Sequence, residues 1–251
     1  MQPSTAPKAP FSAVIIAFNA ARQIEPCLKS VAFADEVLVV DSGSDDETRA
    51  IAEVFGARVV EREWLGFGRQ KQFAVSIAKH DWVLCLDVDE RVSPELAESI
   101  RAAMANPDHM AYRMPRRNRF LGRWLAHGEG YPDRSLRLFH RAHAGWSNDD
   151  VHETVITTAN VATLKGDLMH DSAEDVATYL AKQNHYSSLH AQALYGQGVR
   201  PQNISVAGIA GNGDTEFHVK QERPEQIGTI RQQYSVRYSV TSCISCHYSA
   251  R

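Results

Sequence analysis

The sequence predicts an α/β fold, a mostly parallel sheet with helices on both faces. Three observations predict it. Short, nearly continuous apolar runs alternate with segments of helical periodicity through residues 12–114. Runs apolar on both faces belong to parallel strands covered from both sides. Polar and acidic residues recur directly after those runs, where such sheets gather their ligands.

Ser12 to Phe18 is the first apolar run, and Ile24, Cys27, Leu28 and Val31 follow at helical spacing. Glu36 to Val40 is a second strand. Ile51, Val54 and Phe55 share the face of a helix that stops at Gly56, a common C-terminal signal. Arg58 to Glu61 is a third strand, and Phe73, Ala74, Ile77 and Ala78 mark the next helix. Trp82 to Leu86 is a fourth strand. Ser93 then caps a helix with Pro94 at its first position and Leu96, Ile100 and Ala103 turned inward.

From about residue 112 the pattern changes. Arg113, Arg116, Arg117, Arg119 and Arg123 crowd a short stretch, with Trp124 and Trp146 beyond. A further helix is predicted from Ser172, with Asp175 completing a capping-box-like start, through Val176, Tyr179, Leu180 and Tyr186 to Leu194. After Pro201 the chain is polar with little periodicity, which reads as a weakly structured or exchanged tail.

With 251 residues, 43% of them hydrophobic, the chain can bury a full core. Its net charge of −3 provides no general basic field for nucleic acid. Four cysteines in this length do not make a disulfide framework, so a reducing cytosol is expected. No apolar run reaches the ~18 residues of a membrane-spanning helix. The Gly-x-Gly-x-x-Gly fingerprint is absent after the first strand, which argues against a dinucleotide dehydrogenase. Cys243-Ile244-Ser245-Cys246-His247 fits a haem-attachment pattern, but its surroundings offer no apolar pocket for haem, and it reads as coincidence.

The central chemical signal is Asp87-Val88-Asp89-Glu90 at the end of the fourth strand. Two carboxylates one residue apart can converge on Mg²⁺ or Mn²⁺, hard cations that prefer oxygen ligands and bridge to phosphate. Asp41-Ser42-Gly43-Ser44-Asp45-Asp46 ends the second strand and opens a helix. There an aspartate could accept from a base N–H while the turn approaches a nucleotide, although Ser44 and Asp45 would also cap any helix. A carboxylate near such a site could act as a general base toward a hydroxyl. Glu153 is the first choice for this base and Asp133 the second, with Asp149 and Asp150 behind them. Arg134 and Arg137 lie close to these candidates and suit a diphosphate or acceptor contact. Lys71 is placed to support the nucleotide pocket, and His152 to orient Glu153 or touch the leaving group.

Together these segments resemble the family 2 glycosyltransferases of the nucleotide-diphosphosugar-binding (GT-A) fold. The resemblance rests on Val14 to Asn19, Val39 to Thr48, Gly66 to Ala74 and Leu84 to Arg91, and extends through Arg134 to Phe139 and Val151 to Glu153. It implies that Asp41 contacts uracil, that Asp87 lies near the ribose, that Asp89 ligates the metal, and that Phe18 and Asn19 flank the nucleotide. Within that family the chain resembles bacterial lipopolysaccharide core β-glucosyltransferases that act on inner-core heptose. Val31 to Val37, Trp64 to Lys71 and the Val-His-Glu segment carry that likeness. Two features depart from it: Ala20 follows Asn19 where the family often has Glu, and residues 201–251 lack an apolar, aromatic tail.

The resemblance implies an inverting enzyme that transfers a sugar, glucose by expectation, from a UDP-sugar to a lipopolysaccharide core or lipid-linked saccharide acceptor. A divalent metal would assist departure of the diphosphate. A sugar transferase acting on a polyprenyl phosphate and a non-catalytic nucleotide-sugar scaffold are the alternatives. The expected organisation is an extension at 1–11, a nucleotide-sugar half at 12–115, an acceptor and catalytic half at 116–171, a helix at 172–200 and the atypical tail at 201–251. The expected location is cytoplasmic, with peripheral contact at the inner membrane.

Overall fold

The computed structural model describes residues 8–127, 131–148, 153–173, 176–196 and 198, and strands at 204–206, 215–219 and 234–238. Two compact units divide the chain, Met1–Leu189 and His190–Arg251.

The first unit is built on β1 (Phe11–Ala17), buried along its whole length. It lies between β2 (Glu36–Asp41) and β4 (Trp82–Asp87), with β3 (Arg58–Glu61) outside β2, and all these pairings are parallel. Each strand is apolar on both faces because each face meets a separate core. Ala13, Ile15 and Ala17 of β1 face one cluster with Ile24 and Leu28 of α1 (Ala21–Ser30), Ala52 of α2 (Thr48–Val54) and Leu96 and Ile100 of α4 (Pro94–Ala105). Val14 and Ile16 face the other, with Ala74 and Val75 of α3 (Phe67–Ile77). The four predicted strands and the helices between them are present, and the predicted cap of α4 forms, Ser93 Oγ accepting from Leu96 N at 3.3 Å.

Beyond β4 the sheet becomes mixed. It continues with β8 (Asp133–His140) antiparallel to β4 and β6 (Ala111–Phe120) antiparallel to β8. Then come β12 (Leu168–Ala173), parallel to β6, and β5 (Glu90–Val92), antiparallel to β12. The short β7 (Arg123–Trp124) and β11 (Val161–Thr163) also pair with β6. A separate ribbon joins β9 (Ala144–Trp146) to β10 (Val155–Thr157). The arginine-rich stretch is therefore largely a strand.

The helix predicted from Ser172 begins later, as α5 (Val176–Gly196). Ser172 belongs to β12, whose pairing with β6 supplies backbone partners along the strand and prevails over a local capping signal. The loop before β12 is fastened to the start of α4: Asp167 N donates to Ser93 Oγ, and Ser93 N donates to Asp167 O, both at 3.1 Å. Gly166 makes this approach possible. Its φ is +86°, and a Cβ there would lie 2.3 Å from Leu96 N. In the second unit, β13 (Ile204–Val206), β14 (Thr215–Val219) and β15 (Tyr234–Tyr238) form an antiparallel sheet in that order. The Cys243 to His247 motif lies outside the described residues.

Candidate active site

The carboxyl ends of β1, β2 and β4 converge, as the chain order requires. At the end of β2, Asp41 is fully buried. Its Oδ1 accepts from Gly43 N at 3.1 Å and Ser44 N at 2.8 Å, and its Oδ2 accepts from Ser44 Oγ at 2.5 Å. This turn needs Gly43, whose φ is +91°. Ser44 Oγ in turn accepts from Asn19 N at 2.9 Å, and Asn19 Oδ1 accepts from Asp45 N at 3.0 Å. Asn19, at φ +46°, is of a residue type that tolerates the left-handed region. The ends of β1 and β2 are thus tied together, with Phe18 exposed beside them.

At the end of β4 a continuous series of ion pairs begins. Lys71 of α3 is buried, and its Nζ lies 2.7 Å from both Asp87 Oδ1 and Glu153 Oε1. Arg137 of β8, also buried, contacts Asp87 Oδ2 at 3.0 Å and Glu90 Oε1 at 2.7 Å. Glu90, fully buried, also meets Arg116 Nη1 of β6 at 3.3 Å. Arg116 closes on its cross-strand partner Asp133, Nε at 2.8 Å and Nη2 at 2.5 Å from Oδ2. The order is Glu153, Lys71, Asp87, Arg137, Glu90, Arg116, Asp133, anion and cation alternating throughout. Trp146 of β9 packs against two of the three cations, its ring 4.7 Å from Lys71 Nζ and 5.4 Å from the Arg137 guanidinium carbon.

Alternation makes this burial tolerable, because each interior charge has neighbours of opposite sign. Burial alone would raise the carboxyl of Asp87, but Lys71 and Arg137 hold it well below the usual carboxylate range. Burial works against the charge of Lys71, yet Asp87 and Glu153 raise its pKa despite opposition from Arg137. Burial likewise opposes the charge on Arg137, while Glu90 and Asp87 push its pKa up. The neighbouring thiols are buried, which pushes Cys85 up to about 12 and raises Cys27 as well.

Asp89 points elsewhere, its Oδ2 lying 3.5 Å from His170 Nε2. His170 sits on β12, and its Nδ1 is 2.6 Å from Asn118 Oδ1. Through its two ring nitrogens His170 thus stands between Asn118 and Asp89. Among the described residues no group of three or more His, Cys, Asp or Glu converges on one point.

Residues 12–159 match the family model described as Glycosyl transferase family 2. The chain belongs to that family. An uncharacterized glycosyltransferase of Rickettsia bellii (strain RML369-C) is 37% identical to this glycosyltransferase over 213 residues, 78% of this chain and 71% of that protein. The lipopolysaccharide core biosynthesis glycosyltransferase LpsC of Rhizobium meliloti is 30% identical over 204 residues, 78% of this chain and 76% of its own. Among solved structures, residues 1–349 of S. aureus TarS align with a TM-score of 0.50 at 18% identity, over 65% of this chain and 60% of that one. Glucosyl-3-phosphoglycerate synthase from Mycobacterium tuberculosis, crystallised with Mn²⁺, uridine diphosphate and phosphoglyceric acid, also gives 0.50 at 18% identity, over 78% and 81%. At that identity the two structures establish the fold, which is GT-A.

In this family 2 glycosyltransferase the predicted Lys71, Asp87, Arg137, Glu153 and Asp133 meet in one ion-pair series. Phe18, Asn19, Asp41, Ser42 and Gly43 sit at or beside the β2 turn. Arg134 is exposed on β8 and outside the series, as are Arg113 and Arg123 of the arginine-rich stretch. Asp149, Asp150 and His152 lie outside the described residues. Sequence reasoning did not single out Glu90 as a buried pivot, although it stands within the Asp-x-Asp-Glu signal. It also missed His170 and Asn118, strand residues that no local pattern marks. Among the described residues no helix is long and apolar enough to cross a membrane.

Proposed function

We propose that this glycosyltransferase is an inverting enzyme that moves a sugar, glucose in the first instance, from a UDP-sugar to a lipopolysaccharide core acceptor. The observation that carries this reading is Lys71, whose ammonium touches both the donor-side carboxylate Asp87 and the base candidate Glu153. That arrangement supports an acceptor hydroxyl binding beside Glu153 and a donor binding beside Asp87. Glu153 takes the hydroxyl proton as the oxygen attacks the anomeric carbon from the face opposite the departing nucleoside diphosphate. Glu153 is favoured over Asp133 because it shares a cation with Asp87, whereas Asp133 is reached through Arg137, Glu90 and Arg116. The likeness to LpsC supports the acceptor class.

Asp89 and His170 suit a divalent cation such as Mn²⁺ or Mg²⁺, a carboxylate oxygen and an imidazole nitrogen standing 3.5 Å apart. Asp87 has both oxygens engaged by Lys71 and Arg137. Such a cation, held by Asp89 and His170, would leave further positions to water and phosphate oxygens. Its chemistry there is to neutralise charge on the leaving diphosphate. The proposed working place is the cytoplasmic face of the inner membrane, where a core acceptor is assembled. The test is a panel of UDP-sugars with Mn²⁺ offered to purified truncated core lipopolysaccharide and, separately, to polyprenyl phosphate. Transfer of glucose to the core, abolished by EDTA, is expected. Transfer to polyprenyl phosphate alone would replace the acceptor, and UDP-sugar binding without turnover on either acceptor would sink the catalytic reading.

A further inference from the structure

A two-residue turn between twisted antiparallel strands takes positive φ at both positions, which is why Asn-Gly and Gly-Gly are common there. The turn between β6 and β7 has that form. Phe120 pairs with Arg123, and Leu121 and Gly122 between them lie at φ +47° and +77°. Gly122 suits this conformation; Leu121 does not, because a bulky side chain crowds its own backbone in the left-handed region. Nor does the side chain find shelter there. Leu121 is 42% exposed, and a Cβ at Gly122 would meet nothing within 4 Å. A large apolar group is thus held out at the tip of a ribbon, on a backbone that suits it poorly.

Cross-strand partners share a face of the ribbon. On one face Arg119 lies opposite Trp124, its guanidinium carbon 5.7 Å from the ring; on the other, Phe120 lies opposite Arg123. Each face therefore carries one aromatic ring and one arginine behind the apolar tip. Phe120 also meets Tyr179 of α5 edge-on, with centroids 5.1 Å apart. On that helix Val176 and Leu180, surface neighbours at i and i+4, are both exposed. The acidic residue beside this group is Asp171, 3.7 Å from Arg119 and held more closely by Arg91, so positive charge remains in excess. An apolar tip fringed by rings and arginines matches the boundary of an anionic bilayer, with the tip among acyl chains, rings at headgroup depth and guanidinium groups on lipid phosphate.

We propose that the β6–β7 hairpin, with the first turns of α5 beside it, is the surface through which this enzyme rests on anionic lipid. The proposal rests on the reading above only for its setting at the inner membrane. Asn118, which touches His170, lies three residues before Leu121, about 10 Å along an extended strand. A lipid-anchored acceptor would thereby present the sugars nearest its anchor to the site. The experiment is co-sedimentation of the full chain with vesicles of phosphatidylcholine, alone or mixed with phosphatidylglycerol, for the wild type, Leu121→Asn and Arg123→Glu. Melting temperatures are measured alongside. The wild type is expected to prefer the anionic vesicles, less so as salt rises. Leu121→Asn should lower partitioning about tenfold or more, the scale of one apolar side chain buried. Its melting temperature should hold or rise, because asparagine tolerates the left-handed backbone. Arg123→Glu should lower partitioning into the anionic vesicles about tenfold, from the reversed charge near the surface. A wild type that binds both vesicles equally, or no better than Leu121→Asn, overturns the proposal. Lost melting temperature together with lost binding in Leu121→Asn would make the residue structural and overturn it. So would a smaller oligomer in Leu121→Asn without vesicles, which would make the hairpin a contact between copies. Vesicle binding is read without donor or acceptor. A wild type that binds anionic vesicles but transfers no sugar therefore sinks the function above and leaves this surface standing.

Discussion

In the parallel half of the sheet, β1 to β4, the strands are held by apolar contact on both faces, and charge appears at their carboxyl ends. In the half formed by β6, β8 and β12, polar and charged side chains rise from within the strands: Arg116 from β6, Arg137 from β8 and His170 from β12. The parallel half provides Asp87 and Lys71, and the segment from the end of β4 into β5 provides Asp89 and Glu90; the other half provides the two arginines and Asp133, while Glu153 precedes β10. The difference separates two kinds of stability. The first half is a core that a methylene change weakens locally, whereas the second is an electrostatic network in which one lost charge strands its neighbours.

The largest effect should come where the network meets the chemistry. Glu153→Gln is expected to lower transfer by roughly 10²–10⁴-fold, the scale of a lost general base, while calorimetry with UDP shows binding retained. Asp133→Asn should spare turnover; the reverse result would exchange their roles. Next in size, Glu90→Gln leaves Arg116 and Arg137 without their shared anion. It should cost about 3–5 kcal/mol in urea unfolding, as when one partner of a buried pair is removed. Ile15→Val, in the apolar half, should cost only about 0.5–1.5 kcal/mol. Equal losses would erase the distinction drawn here.

A smaller, pH-dependent effect follows from Asp87. Its folded pKa is depressed, so its contribution is complete above the unfolded value of about 4 and is lost as the pH falls below it. Melting temperatures between pH 6 and pH 3 should therefore fall more steeply in the wild type than in Asp87→Asn. Parallel curves would mean that Asp87 is not held by Lys71 and Arg137. Smallest of all, Arg113→Ala removes an exposed arginine whose Nε meets Thr163 Oγ1 at 2.9 Å. It should shift stability by no more than about 0.5 kcal/mol and leave turnover unchanged, in contrast with Arg116 three residues along.

The parallel half was legible in the sequence because burial on both faces writes an uninterrupted apolar run. The strand expected over Ser12 to Phe18 is found at Phe11–Ala17, and that expected over Glu36 to Val40 at Glu36–Asp41. Local chemistry served equally well at Ser93 and Pro94. The second half was not legible, because Arg116 sits in a strand only by virtue of Asp133 and Glu90, 17 and 26 residues away. No window along the chain contains that compensation. The site shared this division: Asp87 and Asp89 stood out by spacing, while His170 acquires meaning only beside Asp89 and Asn118.

The alternation from Glu153 to Asp133 also bears on how this sequence can change through descent. Each interior member answers to two neighbours, so a neutral substitution at Glu90 leaves an excess cation that a second change, at Arg116 or Arg137, must remove. Residues far apart in the chain are therefore expected to be inherited and replaced as sets. Arg113, outside the series, is free to drift on its own.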